Sequence, residues 1–190
     1  MKINKFKDFK LNELRNVEKM YSVNNGNRSI LESIIAPEVQ AALQDWISYN
    51  ESECVLIGGM ALSFYTIPRY TMDIDVLFLS DIPNNIPKFK HHRPGAFQHD
   101  KTHVEVETVT PKTINISDET AKAVYDTSEI HDGIRIASPS GIVALKLGRF
   151  NAYDKADISS LIKYTKIDLS PFNLPKEILD RYEEFKKSEK

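Results

Sequence analysis

The sequence predicts an α/β protein of the α+β kind, a short mixed sheet of four or five strands flanked by N-terminal and C-terminal helices. Three observations carry that prediction. An apolar run, Cys54-Val-Leu-Ile57, opens onto a glycine pair, Gly58-Gly59, as a buried strand does when it turns sharply into a helix. A second apolar run, Met72 to Leu79, carries Asp73 and Asp75 near its start. Strand side chains alternate, so these two carboxylates share one face while Ile74 and Val76 take the other. A third run, His103 to Thr110, sets Val104 and Val106 against Glu105 and Glu107 in the same alternation.

The flanking segments read as helices. Phe9, Leu11, Leu14, Val17 and Tyr21 make a moderately amphipathic stretch over 6–21, which Asn24-Asn25-Gly26-Asn27 breaks before a second helical run from Arg28 to Ile35. Pro37 suits the first turn of a third helix, whose Val39, Ala42, Leu43, Trp46 and Ile47 form one apolar stripe facing the core. Between the glycines and the second strand, Ala61, Leu62, Phe64 and Tyr65 lie at helical spacing until Pro68 ends the run. Asp81 to Lys101 has no clear period and carries Lys88, Lys90, His91, His92, Arg93 and His99, with His103 beyond. It reads as a solvated hairpin connection or as a loop that contacts phosphate; a zinc site is the weaker reading, for want of ligand spacing. A helix is expected over 116–127, capped by Ser117 or Asp118, then a fourth short strand over 133–137. Ser138-Pro-Ser-Gly starts a helix that displays Lys146 and Arg149, and another begins near Asp154 and carries Asp157. Ile178, Leu179, Tyr182 and Phe185 mark a last helix, with Lys186 to Lys190 as a frayed tail. The expected organisation is a helical segment over 1–50 packed on a core at 51–165, with a helical tail at 166–190, all one compact unit.

Composition narrows the function. At 190 residues, 41% hydrophobic and 27% charged, the chain suits one soluble domain. A net charge of -2 argues against a strongly basic nucleic-acid binder. No apolar stretch approaches the roughly 20 residues that span a bilayer, so no membrane role is expected. The N-terminus lacks the apolar core of a secretory signal, and a cytoplasmic location is the expectation. The one cysteine, Cys54, cannot form an internal disulfide and reads as a small core residue rather than a reactive thiol.

Two acids on one face of an apolar strand are costly unless a positive charge lies between them, and a divalent cation is the usual answer. Gly58-Gly59 followed by Arg69-x-Thr71-x-Asp73-Ile74-Asp75 resembles the signature of the nucleotidyltransferase superfamily that includes DNA polymerase beta. The nearer likeness is to its small branches, the minimal nucleotidyltransferases and the toxins of abortive-infection type IV systems. Ser138-Pro-x-x-Ile142, Lys146-Leu147 and Asp157-Ile158 resemble a second motif of that toxin branch, and the likeness runs from about Cys54 to Leu161.

The resemblance implies metal-dependent transfer of a nucleoside monophosphate from a nucleoside triphosphate, ATP among them, to a hydroxyl. Asp73 and Asp75 would bridge two Mg2+ ions, and a third acid from the neighbouring strand would complete the site. Glu107 fits the family's acid-then-Thr-Pro register better than Glu105, though many members carry aspartate there. Gly58 and Gly59 would let the backbone approach the phosphates, with the following amides as an anion site. Glycine stands at position 59 where the family more often has serine, so backbone contacts would serve there, with Ser63 adding a hydroxyl. Arg69, beside Thr71, would steer phosphate or pair with a carboxylate. Lys146 would contact the triphosphate, and Asp157 would hold the site or assist proton transfer. The acceptor is RNA, such as a tRNA 3′ end, a protein or a small molecule, and the toxin-like branch favours the first two and implies an antitoxin partner. The rival reading is a non-catalytic nucleotide-sensing or antitoxin-type binding module of the same fold.

Overall fold

The apolar runs pair into one mixed sheet in a computed structural model of the chain, which describes residues 36–49, 54–66, 73–131 and 133–189. The chain divides into two units, Met1–Ile34 and Ile35–Lys190, and the described residues all belong to the second. The helices expected over 6–21 and 28–35, together with Pro68, Arg69, Thr71 and Met72, lie outside the described residues. In chain order the elements are α1 (Pro37–Tyr49), β1 (Cys54–Ile57), α2 (Gly58–Leu62), β2 (Ile74–Phe78), β3 (Phe89–Arg93), β4 (Ala96–His99) and β5 (Glu105–Val109). They continue with α3 (Asp118–Asp126), β6 (Glu129–His131), β7 (Ile134–Ile136), α4 (Pro139–Arg149), α5 (Ala152–Tyr164), a 3-10 turn at Ser170–Phe172, and α6 (Lys176–Ser188).

Among the described residues the sheet has seven strands in the order β3-β4-β5-β2-β1-β7-β6. The central strand β2 runs antiparallel to β1 and parallel to β5. β1 in turn runs parallel to β7. Central strands lacking a free edge must be apolar on both faces unless a site intervenes. β1 obeys this with four buried residues, and β2 breaks it only at Asp75.

The alternation of β2 sorts the two faces. Ile74, Val76 and Phe78 turn towards α1, whose Val39, Ala42, Leu43 and Trp46 are all buried. The Trp46 ring meets Phe78, Phe89 and Phe97 edge-on, with centroids 6.2, 5.2 and 6.3 Å away. Such T-shaped contacts suit the ring quadrupole and make the indole a core anchor. Asp75 and Leu77 turn to the opposite face, where α4 lies across the sheet.

Local chemistry sets the helix starts. The Ser117 and Ser138 hydroxyls accept from the amides of Thr120 and Gly141, capping α3 and α4. Asn151 and Asp154 form a reciprocal capping box at the start of α5.

The sheet exceeds the expected four or five strands because the stretch from Phe89 to His99, expected as a solvated hairpin connection or a phosphate-contacting loop, pairs into the sheet as β3 and β4, and Glu129–His131 adds β6 at the other edge. β3 buries only Phe89 and exposes Lys90 to Arg93, so no alternation marked it; basic side chains of this kind protect an edge strand from mispairing. Two further boundaries moved. α2 stops at Leu62 and gives way to hydrogen-bonded turns through Thr66, and α6 continues to Ser188 instead of fraying at Lys186.

Candidate active site

The site is built where β2 and β5 run side by side. Their parallel register sets Asp75 directly opposite Glu107, with Asp73 one same-face step earlier. β1 ends opposite the same point, Ile57 facing Asp75. The chain must then turn away at once, and Gly58 does so at φ +69°. A Cβ there would lie 1.8 Å from the Asp75 Oδ2 atom. Glycine is required on both counts, by the left-handed backbone and by the carboxylate packed against it.

Asp75 is mostly buried, and its pKa is pushed up to about 6. Burial is the largest cause, followed by the negative charges of Glu107 and Asp73. A backbone hydrogen bond from Gly59 and the positive charge of Lys146 oppose the rise. A carboxylate resisting ionisation because other carboxylates crowd it is the electrostatic condition that a cation relieves. The donor set, three acidic oxygens-bearing side chains on one face, fits a hard divalent cation such as magnesium. Among the described residues no three acid, histidine or cysteine side chains are already drawn into a closed metal-binding cluster.

The two glutamates of β5 have different surroundings. Glu105 takes a close ion pair from Arg93 and lies 3.5 Å from His92. A register shift between His91 and Arg93 in the β3–β4 pairing accompanies this double approach. Glu107 is approached, among the described residues, by the other terminal nitrogen of Arg93, Nη1, at 3.7 Å. It is Glu107 that faces Asp75, while Glu105 anchors the arginine.

Across a cavity of roughly 480 Å3, lined by Gly58, Gly59, Asp75 and Glu107, stands Lys146 of α4. Its ammonium is buried and pairs with Asp157 at 2.7 Å and Asp154 at 3.4 Å. Asp154 also takes Arg149 at 3.0 Å. A buried lysine is tolerable only when paired in this way. Asp157 therefore holds Lys146 in place. Asp154 does so too, and sequence reasoning missed it; the Asn151-x-x-Asp154 capping pattern was the signal that it lies buried at the start of α5.

The other expected residues fall in varied places. The Ser63 hydroxyl is buried and donates to the Gly59 carbonyl at 3.0 Å. The Gly59 amide donates to Asp75, so it braces the carboxylate. Arg69 and Thr71 lie outside the described residues. His99 is buried between Thr102, at 2.8 Å, and Asp45, at 3.1 Å, as a strut between α1 and the hairpin. His91 bonds to the Asn84 carbonyl at 2.9 Å. His92 approaches the acids of β5, through Glu105.

A seven-strand mixed sheet with paired carboxylates on its inner parallel strands, a glycine turn beneath them and a lysine opposite is a nucleotidyltransferase-type arrangement. The family model for the nucleotidyl transferase AbiEii toxin of type IV toxin–antitoxin systems matches residues 41–158. The chain belongs to that family and is a nucleotidyltransferase. Membership implies a nucleoside triphosphate substrate and a divalent metal, and it associates the chain with an antitoxin. No curated protein matches the chain. Among solved structures, the crystal structure of JHP933 from Helicobacter pylori is similar, 19% identical over 81% of this chain and 76% of that chain, with a TM-score of 0.47. No helix among the described residues is long and apolar enough to cross a membrane.

Proposed function

We propose that this protein is a toxin that transfers a nucleoside monophosphate from a nucleoside triphosphate to a hydroxyl of RNA or protein, using divalent metal. The observation that carries the reading is the opposition of Asp75 and Glu107 on parallel strands, with Asp73 beside them and Lys146 across one cavity. Asp73, Asp75 and Glu107 would hold the ions, a magnesium pair, whose charge would favour the attacking oxygen and neutralise the pyrophosphate leaving group.

The chain's own residues supply the rest. Gly58 keeps the floor beneath Asp75 free of side-chain atoms. Gly59 fixes one Asp75 oxygen through its amide. Lys146, held by Asp154 and Asp157, presents a fixed positive charge to the triphosphate, a charge-assisted contact stronger than a neutral hydrogen bond. Arg149 lines the same cavity with an exposed side chain and adds a second cation on that wall.

The test is incubation of the protein with each labelled nucleoside triphosphate, magnesium and either total RNA or cell lysate. Label should appear in one macromolecular class with wild type and in none with Asp75→Ala. Labelling that survives Asp75→Ala, or that never appears with any of the four nucleotides, would sink the catalytic reading.

A further inference from the structure

The cavity that holds the carboxylates extends along β5. Val109 lies one same-face step beyond Glu107, about 7 Å along the strand, and beyond it the chain makes a tight turn. The Thr110 amide donates to the Thr113 hydroxyl at 2.9 Å, that hydroxyl donates to the Thr110 carbonyl at 3.0 Å, and the Ile116 amide reaches the Pro111 carbonyl at 3.0 Å. These bonds hold Ile114 and Asn115 on the cavity wall. Asn115 sits at φ +55°, a conformation that asparagine tolerates better than most residues. Its carboxamide is exposed and makes no side-chain hydrogen bond with the described residues.

The facing wall is α4, through Ile142, Leu145 and Gly148. Gly148 has no local reason to be glycine. Its backbone is not left-handed; the left-handed cap of α4 is Phe150, at φ +49°. A Cβ added to it meets nothing within 4 Å. Glycine lowers helix propensity relative to alanine, and neither packing nor backbone among the described residues offsets that loss. What Gly148 does provide is a flat, open stretch of helix on the cavity wall, opposite an amide with donors and an acceptor to offer.

We propose that this part of the cavity is the nucleoside pocket. Gly148 clears the helix surface against which the base and ribose lie, among Val109, Ile114, Ile142 and Leu145, and Asn115 reads the hydrogen-bonding edge of the base. The inference rests on the proposed nucleotidyl transfer and adds the residues that select the nucleotide. A carboxamide offers two donors and an acceptor side by side, which lets it discriminate bases by their edges, as paired donors and acceptors do on nucleic acids.

The experiment is calorimetric titration of the full chain with each of the four nucleoside triphosphates and, separately, with inorganic tripolyphosphate, in magnesium. Gly148→Ala should melt at or above the wild-type temperature and bind the preferred nucleotide more weakly. Gly148→Val, which projects further from the helix, should weaken nucleotide binding by about tenfold or more, on the scale at which each 1.4 kcal/mol is tenfold. Neither variant should change tripolyphosphate affinity. Asn115→Ala should flatten the preference among the four nucleotides. Unchanged nucleotide affinity in Gly148→Val, or an equal loss for tripolyphosphate, would overturn the pocket. An unchanged preference in Asn115→Ala would remove its reading role. A wild type that binds tripolyphosphate but favours no nucleoside would also refute the pocket, whereas one that binds neither would take the proposed transfer down with it.

Discussion

Asp75 carries the electrostatic tension of the site, and that tension is measurable without any substrate. In the metal-free protein its folded pKa, about 6, lies above the ordinary 3.8. The folded state therefore holds this proton more tightly than the unfolded chain does. The group is neutral in both states at low pH and is no burden there. Stability falls as pH rises from about 4 to 6, and above that window the ionised carboxylate costs about 3 kcal/mol. Asp75→Asn should remove that cost. Denaturant titrations without metal should find it more stable than wild type at pH 8, with the difference shrinking towards pH 4, while transfer activity is lost. If the two proteins show the same pH dependence, the burial of Asp75 and its crowding by Glu107 and Asp73 have been misread. The two glutamates of β5 should also separate. Glu107→Gln should lower turnover by about 100-fold or more, since it faces Asp75 at the proposed metal site. Glu105→Gln should lower it by less than about tenfold, because that carboxylate is engaged by Arg93. Steady-state rates of the two variants at saturating magnesium decide the matter, and equal losses would exchange or merge their roles.

At the scale of elements, the site depends on two devices, the turn from β1 into α2 and the packing of α4 on α5. Gly58→Ala combines a left-handed backbone with a Cβ 1.8 Å from Asp75 Oδ2. It should cost about 2–4 kcal/mol, from the conformational penalty and the overpacking together, and should abolish transfer by displacing the carboxylate. The α4–α5 device makes a different forecast. Lys146→Ala would take from Asp157 its ammonium partner at 2.7 Å and from Asp154 one of its two cations, Arg149 remaining, and removing one partner of a buried ion pair costs roughly 3–5 kcal/mol. Loss of activity in that variant would therefore not by itself place Lys146 on the nucleotide. Lys146→Met with Asp157→Asn removes charge of both signs and should recover part of the stability by chemical denaturation. If Lys146 serves the triphosphate, the double variant should stay inactive despite its recovered fold. A double variant with wild-type turnover would reduce the lysine to a structural pair.

Across the whole described unit, legibility followed how local the physics was. The β2 acids were readable because alternation alone puts Asp73 and Asp75 on one face, and β5 was readable for the same reason. Ser117 and Ser138 announced their helices through the hydroxyl three residues before an amide. The joining of β3 and β4 to the sheet was hidden, although a hairpin connection was one reading, because an edge strand needs only one buried residue, Phe89, and its exposed basic run looks the same as a loop. The confinement of Lys146 was hidden as well, since Asp154 meets it only when α5 folds back against α4. The cavity that results is assembled from β1, β2, β5, the turn after β5 and α4, so a ligand seated there should stabilise all of them together. Binding to the folded state alone at about 100 times the dissociation constant adds about 2.7 kcal/mol, which for a chain of this size corresponds to a rise of roughly 5–10 °C in Tm. Wild type with magnesium and its preferred nucleoside triphosphate should show such a rise by calorimetry or fluorescence melting. Magnesium alone should give a smaller one, because it relieves only the carboxylates, and Asp75→Asn should lose most of that metal-only response. If nucleotide raises Tm equally with and without magnesium, in wild type and in Asp75→Asn alike, then the nucleotide binds independently of the carboxylates and the site as assembled from β2 and β5 is not where it sits.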